Sequence, residues 1–264
     1  MLSNVYVPTI FALSTLAVSA SPFEPRTNSP PAAQNGNYYT VPGLGKFNTH
    51  LSVDFTKVSS VPSSLIIDTD LIDAGPDPYS HQFTKNNVVI NQGDSVSLIV
   101  PGGQTSSPLT GAEFRTAYDD IKYASVRTVA KASSAAGACH GFFFYLNDNQ
   151  ESDIEILTSD SNELWFTNQA LTAGGQSSSK QAASPGTITS AYHEYRLDWV
   201  KGRTDYYVDG VLKKTITANV PNKAGSWVWN NWSSGGEWTQ GPPTARNDLR
   251  IQSINAYFNR TSVA

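Results

Sequence analysis

Residues 150–157 read QESDIEIL, a stretch that alternates acidic side chains with mostly apolar ones. Successive side chains of a β-strand point to opposite faces, so Glu151, Asp153 and Glu155 are predicted to share one face. The residues between and after them then face the other way, and two of these three are isoleucines. The stretch therefore predicts a strand with one acidic face and one largely apolar face.

Three carboxylates along one strand face repel each other, and two interpretations of them remain open. Alternating acids are usual on the solvated face of an edge strand. A retaining glycosidase, however, needs two carboxyl groups roughly 5–5.5 Å apart. Positions i and i+4 of a strand are about 13 Å apart at the backbone. Two glutamates leaning inward over a concave sheet would close much of that gap, and the aspartate between them would separate their pKa values.

The rest of the chain is predicted to be a series of short strands with no long helical period. The predicted strands cover residues 94–100, 122–129, 141–146, 163–168, 193–200, 226–232 and 249–258. Asp209-Gly210 between two apolar runs predicts a two-residue hairpin. This pattern predicts an all-β sandwich of two antiparallel sheets, forming a single domain over residues 37–264.

The composition favours a carbohydrate ligand over a charged polymer. Aromatic residues make up 11% of the chain and charged residues only 15%. Aromatic rings in excess of the needs of a core suit a cleft in which rings stack on sugars. The formal net charge of −4 gives no reason to expect nucleic acid or an anionic membrane as a partner. We expect a monomer that uses no cofactor.

The single cysteine, Cys139, excludes an intramolecular disulfide. It is flanked by Ala138 and His140 and precedes an aromatic run. Neighbouring side chains on a strand point to opposite faces, which disfavours a Cys–His nucleophile pair. A buried structural thiol is therefore the prediction.

The N-terminal residues predict export. Residues 1–20 contain no charged side chain and end in small residues, which resembles a secretory signal peptide. The apolar run is short and interrupted, which disfavours a membrane anchor. Residues 21–36 are rich in proline, serine and asparagine and are predicted to be a flexible leader or a propeptide. We expect a secreted, extracellular protein.

Two further stretches, together with QESDIEIL, carry a resemblance to a known family. They are YHEYRLDWVKGRTDYYVDGVLKKTITANVP (192–221) and SWVWNNWSSGG (226–236). With these motifs the chain resembles the family sixteen glycoside hydrolases, a group of lichenases, laminarinases and cell-wall transglycosylases. The resemblance covers roughly residues 118–258 and implies a concanavalin-A-like jelly roll with a concave substrate cleft.

The resemblance implies roles for the acidic strand. Glu151 matches the family nucleophile, Glu155 the general acid/base, and Asp153 the carboxylate that assists both. The implied activity is endo-hydrolysis of β-1,3 or mixed β-1,3/1,4 glucan through a covalent glycosyl-enzyme. A glucan transglycosylase on the same site and a lectin-like sugar-binding protein are the alternatives. A lectin would gain nothing from three carboxyl groups.

Five further residues are implied to bind substrate. Asn230 and Trp232 lie two apart on one predicted strand, so both face the cleft, with a core position as the alternative for the tryptophan. Phe166 falls where the family often has a cleft tyrosine. Arg127 resembles the arginine of the family's Glu-Ala-Arg strand, with a surface arginine as the alternative. Trp238 could cap the cleft from a loop.

The acidic residues Asp68, Asp70 and Asp73 lack the glycine and the closing glutamate of an EF-hand. They are predicted to form a solvated loop, and we predict no metal site.

Asn231 and Asn259 both satisfy the acceptor pattern for N-linked glycosylation. Asn259 follows the last predicted strand and is expected to carry a glycan. Asn231 is expected to be bare, because its side chain points away from the face shared by Asn230 and Trp232, and so into the core.

Overall fold

The computed structural model describes residues 33–35 and 38–263. The predicted signal peptide and most of the predicted leader lie outside these residues. Residues 33–35, from the end of that leader, form a short strand that pairs with residues 38–40. No helix within the described ranges is long and apolar enough to cross a membrane.

Nearly all regular structure in the described chain is β-strand. The first ten strands are β1 (Ala33–Asn35), β2 (Tyr38–Val41), β3 (Gly45–Phe47), β4 (Thr49–Asp54), β5 (Leu65–Ile67), β6 (Leu71–Ile72), β7 (His81–Phe83), β8 (Val88–Asn91), β9 (Ser95–Val100) and β10 (Leu109–Thr116). The others are β11 (Ile121–Lys131), β12 (Cys139–Asn147), β13 (Gln150–Leu157), β14 (Glu163–Asn168), β15 (Ser178–Ala183), β16 (His193–Val200), β17 (Arg203–Val208), β18 (Val211–Ile216), β19 (Ser226–Trp232) and β20 (Asn247–Arg260). One 3-10 turn, Lys85–Asn87, precedes β8.

Two large sheets form a sandwich. The sheet that we call the cleft sheet has the strand order β15-β14-β13-β12-β19-β10-β7-β6, with β5 also paired to β10. The back sheet has the order β18-β17-β16-β11-β20-β9-β8, with β4 also paired to β20. Apart from the parallel pair of β7 and β10, the pairings are antiparallel. The predicted all-β fold of two antiparallel sheets is confirmed.

The core between the sheets is built largely from aromatic side chains. Trp199 of the back sheet and Trp227 and Trp229 of β19 are fully buried. The Trp229 indole nitrogen donates to Thr128 Oγ1 at 2.8 Å, which satisfies a polar group inside the core. On β19 the alternation is regular, because residues 227, 229 and 231 face the core while the residues between them face outward.

A polar hub lies within this core, directly beneath β13. Asn168 Oδ1 accepts hydrogen bonds from Ser152 Oγ at 2.6 Å, Tyr206 Oη at 2.9 Å and Thr204 Oγ1 at 3.1 Å. Asn168 Nδ2 donates to the carbonyl oxygen of Ala218 at 3.0 Å. Ser152 is thus a buried but satisfied polar residue on the core face of the acidic strand. The hub joins β13 and β14 of the cleft sheet to β17 of the back sheet.

The prediction that Phe166 lines the cleft is wrong. Its side chain is fully buried and stacks on Tyr206, with ring centroids 4.9 Å apart. Strand β14 places its neighbours Trp165 and Thr167 on the opposite face, beside Glu155 and Asp153. Successive residues of a strand face opposite sides, so on β14 the side that faces the cleft sheet's acidic residues belongs to the neighbours of Phe166 and not to Phe166 itself.

Phe166→Ala is expected to lower the free energy of unfolding by about 3–5 kcal/mol, because it leaves a cavity in the core. The Michaelis constant of the Phe166→Ala protein that remains folded should change little, because the side chain does not reach the cleft. Denaturant titration beside steady-state kinetics measures both quantities. Thr167→Ala on the same strand is the control, with an expected loss of about 1 kcal/mol for one hydrogen bond. A raised Michaelis constant with unchanged stability in Phe166→Ala would return this residue to the cleft.

The prediction that Arg127 binds substrate is also wrong. Arg127 lies on β11 of the back sheet, between Val126 and Thr128, which face the core. Its side chain therefore points out of the back sheet, on the far side of the sandwich from the cleft. There it is mostly buried and donates from Nη1 to Ser125 Oγ at 3.2 Å.

The two glycosylation acceptors differ in their surroundings. Asn231 is fully buried, and its Nδ2 donates to the carbonyl oxygen of Leu98 at 2.8 Å. Asn259 lies within β20 rather than after it, because the strand ends at Arg260, two residues beyond its predicted end at residue 258. Its Oδ1 accepts a hydrogen bond from the backbone N–H of Asn48 at 3.0 Å. A glycan on Asn259 stays a prediction.

Candidate active site

An open cleft of about 430 Å³ lies on the outer face of the cleft sheet. Its lining comes from β7, β10, β12, β13 and β19, with further residues from β6 and the turns beside these strands. One row across the sheet is given by the strand register: Glu155 lies opposite Gly141, Gly141 opposite Asn230, and Asn230 opposite Glu113. The strands thus place polar side chains across the cleft around one glycine.

Strand β13 carries all three predicted catalytic carboxyl groups into this cleft. Glu151, Asp153 and Glu155 line it, while Ile154 and Ile156 on the other face are buried in the core. Burial of one face fixes the register, because a slip by one residue would bring the isoleucines into the cleft. The alternation seen in the sequence is therefore the feature that aims the three acids at one space.

Asp153 is the most deeply buried of the three acids. Burial raises the pKa of Asp153 well above its ordinary value, and the charges of Glu151 and Glu155 raise it further. Asp153 is hydrogen-bonded to Glu151, and Gln169 Nε2 donates to Asp153 Oδ2 at 3.2 Å. The raised pKa favours the protonated form of Asp153, whose hydroxyl group donates the hydrogen bond to the carboxylate of Glu151.

Glu151 and Glu155 lie on either side of Asp153 and differ in what they contact. Burial raises the pKa of Glu151, while the hydrogen bond from Asp153 lowers it. Burial also raises the pKa of Glu155, and hydrogen bonds from Cys139 and Trp238 lower it. One acid is thus tied to a neighbouring carboxyl group and the other to two neutral donors, which permits different roles.

Trp238 contacts Glu155 directly. Its indole Nε1 donates to Glu155 Oε1 at 3.1 Å. The ring meets that of Trp165 edge-on, with centroids 5.0 Å apart. The structure therefore places Trp238 against Glu155, and Trp165 forms an aromatic corner with it, although neither ring is among the residues that line the cleft. Trp165 was missed at the sequence level, because its strand was assigned with Phe166 toward the cleft.

Asn230 lies in the cleft and is held by an acid that the sequence analysis missed. Asn230 Nδ2 donates to Glu113 Oε2 at 3.0 Å. Burial raises the pKa of Glu113 to about 8. Asn230 Oδ1 has no hydrogen-bond partner in the described part of the chain, so it is available to a hydroxyl group in the cleft. A Cβ atom on Gly141 would lie 2.6 Å from this oxygen, so only glycine leaves the amide in place.

Glu113 and Arg115 stand on β10, a strand that the sequence analysis did not predict. Glu113-Phe114-Arg115 has the Glu-x-Arg spacing, whereas Arg127 has no glutamate two residues before it. The signal was present in the sequence, because Ala112, Phe114 and Thr116 alternate with these polar residues and are buried. Only Glu113 of the pair lines the cleft.

The expectation of a solvated acidic loop is wrong for one of its three residues, Asp68, whereas Asp70 is exposed. Asp68 is buried and accepts a hydrogen bond from Arg115 Nε at 3.0 Å, and Asp70 lines the cleft. Both follow β5, whose pairing with β10 draws them against the sheet. Asp73 is exposed. Within the described residues no three His, Cys, Asp or Glu side chains are grouped as a metal site would require.

Trp232 lies in the cleft at the end of β19. Its ring is half-buried and stacks on the imidazole of His81, with centroids 5.0 Å apart and planes 23° apart. Burial lowers the pKa of His81 to about 4, so a neutral ring supports the tryptophan at neutral pH. The structure thus places Trp232 outside the core, with the ring backed by His81.

Trp232→Ala is expected to weaken binding of an oligosaccharide by about 1–3 kcal/mol, by analogy with aromatic stacking on bases. The loss of stability should be smaller than for Phe166→Ala, since the ring is half-exposed. Calorimetric titration with the oligosaccharide measures the affinity, and Trp165→Ala is the comparison, since this ring lies outside the lining of the cleft. A large fall in melting temperature with unchanged affinity would identify Trp232 as a structural residue.

Fold and site together define a class of protein: a two-sheet β-sandwich that presents three carboxyl groups in an open cleft. The model of the family described as "Glycosyl hydrolases family 16" matches residues 76–248, more than half of the chain. The chain belongs to this family. The family predicted from the sequence motifs is thereby confirmed.

Individual relatives agree with this membership. The chain is 32% identical over 131 residues to a β-glucanase of Paenibacillus macerans, a match that covers 47% of this chain and 54% of that protein. The chain thus spans about half the length of this relative. A β-1,3-1,4-glucanase (lichenase) from a mouse hindgut metagenome superposes with a TM-score of 0.67 at 20% identity, over 80% of this chain and 99% of that one. An endo-β-1,3-glucanase from Pyrococcus furiosus gives 0.68 at 15% identity, over 86% and 100%. At these identities the two structures establish the shared jelly-roll fold.

Proposed function

We propose that the protein hydrolyses internal bonds of β-1,3 or mixed β-1,3/1,4 glucans, with retention of anomeric configuration. The observation that carries the proposal is the placement of Glu151, Asp153 and Glu155 on one face of β13, inside the cleft. The names of the relatives, β-glucanase, lichenase and endo-β-1,3-glucanase, support glucan as the substrate. A cleft that is open across the sheet suits a polymer bound along its length.

In the first step Glu151 attacks the anomeric carbon of the sugar on the donor side. A bond forms between a Glu151 oxygen and that carbon, and the bond to the glycosidic oxygen breaks. Glu155 gives its proton to the departing oxygen, which leaves as the hydroxyl group of the released chain. The product of this step is a covalent glycosyl-enzyme with inverted configuration.

In the second step Glu155, now a carboxylate, takes a proton from a water molecule as that water attacks the same carbon. The new carbon–oxygen bond forms as the ester to Glu151 breaks, so Glu151 leaves as a carboxylate. Two inversions give net retention. Glu155 ends the cycle protonated, as it began.

The hydrogen bond between Asp153 and Glu151 suits a mechanism in which Glu151 attacks as a carboxylate. The proton on Asp153 stabilises negative charge on Glu151, both before attack and when the ester breaks. Burial keeps a proton on Glu155 to higher pH than an exposed glutamate would hold it. Burial also raises the pKa of Glu151, to about 7, so in this mechanism the hydrogen bond from Asp153 is what favours its charged form.

Transglycosylation is the second candidate, favoured by one observation. The aromatic corner of Trp165 and Trp238 lies beside Glu155, where it offers stacking surface to a sugar that could replace water as the acceptor. A lectin-like role is disfavoured, because sugar binding alone has no use for three carboxyl groups along one strand.

Product analysis on laminarin, lichenan and xyloglucan tests both candidates. We expect new reducing ends and shortened chains from laminarin or lichenan. Adding a labelled oligosaccharide as an acceptor measures transfer, which would appear as labelled products longer than the acceptor. Absence of any new reducing end or transfer product on all three polymers would contradict the proposal.

We propose further that the enzyme acts outside the cell, on the strength of the signal-peptide-like residues 1–20. Sequencing the N-terminus of protein recovered from a culture medium checks this. A mature chain that begins after residue 20 is expected.

A further inference from the structure

The only cysteine of the chain lies beside the carboxyl group of Glu155. Cys139 is the first residue of β12, opposite Leu157 on β13 and opposite Trp232 on β19. Leu157 is two residues from Glu155, so the strand alternation puts the thiol on the cleft side of the sheet. Cys139 Sγ lies 3.4 Å from Glu155 Oε1, within the range of a sulfur hydrogen bond.

The sulfur is present as a thiol and not as a thiolate. The side chain is fully buried, and burial raises the pKa of Cys139 well above its ordinary value, with the charge of Glu155 as the next cause. A thiolate is what a cysteine nucleophile requires. Cys139 is therefore a hydrogen-bond donor to Glu155 and not a second nucleophile.

Two donors converge on the same oxygen of Glu155. Trp238 Nε1 donates to Oε1 at 3.1 Å, and the Cys139 thiol lies against that oxygen as well. A carboxyl oxygen that accepts two hydrogen bonds has both lone pairs engaged, so it is not the oxygen that carries the acidic proton. The proton of a neutral Glu155 is left to Oε2.

We propose that Cys139 is a positioning residue for Glu155, which together with Trp238 reserves Oε1 as an acceptor so that the catalytic proton is held on Oε2. The proposal rests on the acid/base function proposed for Glu155. The thiol acts only through Glu155, so its loss should change proton transfer and leave substrate affinity unaltered. By favouring the carboxylate form, the S–H group also opposes the effect of burial and sets the upper pH limit of activity.

The pH dependence of kcat/KM separates this role from simple packing. Cys139→Ala removes the donor, so Glu155 should keep its proton to higher pH and the basic limb should move up by about half a pH unit. kcat should fall while KM stays near the wild-type value. Cys139→Ser keeps a donor of similar size, and its basic limb should not move up. If the alanine variant lost stability but kept the wild-type basic limb, Cys139 would be a packing residue and the proposal would be overturned.

Infrared spectroscopy of the S–H stretch tests the same contact without turnover. A single cysteine gives a single band, and Cys139→Ser, which has no thiol, serves as the blank. The wild-type band should lie below the frequency of a free thiol and fall further as Glu155 ionises with rising pH. Glu155→Gln should abolish that pH dependence. A band at the free-thiol frequency that ignores pH would overturn the proposal, even if the variants failed to fold. A shifted band in a protein that cleaves no glucan would instead refute the proposed function.

Discussion

Glu151→Ala should lower glucan hydrolysis by several orders of magnitude while the protein remains folded. The side chain lies on the cleft face of β13 and contributes nothing to the core, so the sandwich should tolerate its removal. In the proposed mechanism no glycosyl-enzyme can form without this carboxylate. Azide, small enough to occupy the vacated space, should restore part of the activity on a substrate with a good leaving group. Azide attacks the anomeric carbon once, so the glycosyl azide should have inverted configuration.

Nuclear magnetic resonance of that azide product gives its configuration, and circular dichroism checks the fold. Glu163→Ala is the matched control, since it removes a glutamate from the neighbouring strand β14, outside the cleft lining. It should keep wild-type turnover. A Glu151→Ala enzyme with wild-type rates, or an azide product with retained configuration, would contradict the nucleophile assignment.

Glu155→Ala should also abolish hydrolysis of the polymer, but with a different pattern. A sugar hydroxyl is a poor leaving group and needs a proton, which the proposed mechanism takes from Glu155, whereas a dinitrophenolate needs none. The kcat/KM for a dinitrophenyl oligoglucoside should therefore fall far less than that for glucan. Azide should again accelerate turnover, but here it intercepts the ester on Glu151, so the azide product should have retained configuration.

The pH profile provides a further readout of Glu155→Ala. In the wild type the basic limb of kcat/KM should report loss of the proton from Glu155, whose pKa is raised by burial. The variant should lose that limb on the dinitrophenyl substrate. Equal losses on both substrates, with the basic limb unchanged, would show that another group is the acid.

The parts of the site that could be predicted from sequence are those specified within a single strand. The alternation in residues 150–157 is enough to put three acids on one face, since one side of the strand must be apolar to enter the core. The same holds for β19, where Asn230 and Trp232 share the face opposite Trp229 and Asn231. When alternate side chains of a strand include tryptophans that must be buried, only one of the two faces of that strand can turn toward the core.

Other parts could not be predicted, because they depend on pairings between distant segments. Glu113 meets Asn230 across 117 residues of sequence, and the alternation of its own strand does not indicate that contact. In residues 163–168 both faces carry apolar or aromatic side chains, so nothing local decides between Trp165 and Phe166. The core position of Phe166 follows from its contact with Tyr206 on the back sheet. Cys139 was correctly expected to be buried, but its contact with Glu155 requires the register of β12 against β13.

The Asn168 hub has a consequence for how the enzyme responds to temperature. Because its hydrogen bonds tie β13 to the back sheet, the acidic strand cannot slide while the sandwich is intact. The alignment of the carboxyl groups is then a property of the whole fold and is not assembled when the sugar arrives. Heating should therefore produce no broad interval in which a folded but misaligned enzyme accumulates, and catalytic competence should disappear together with the contact between the sheets.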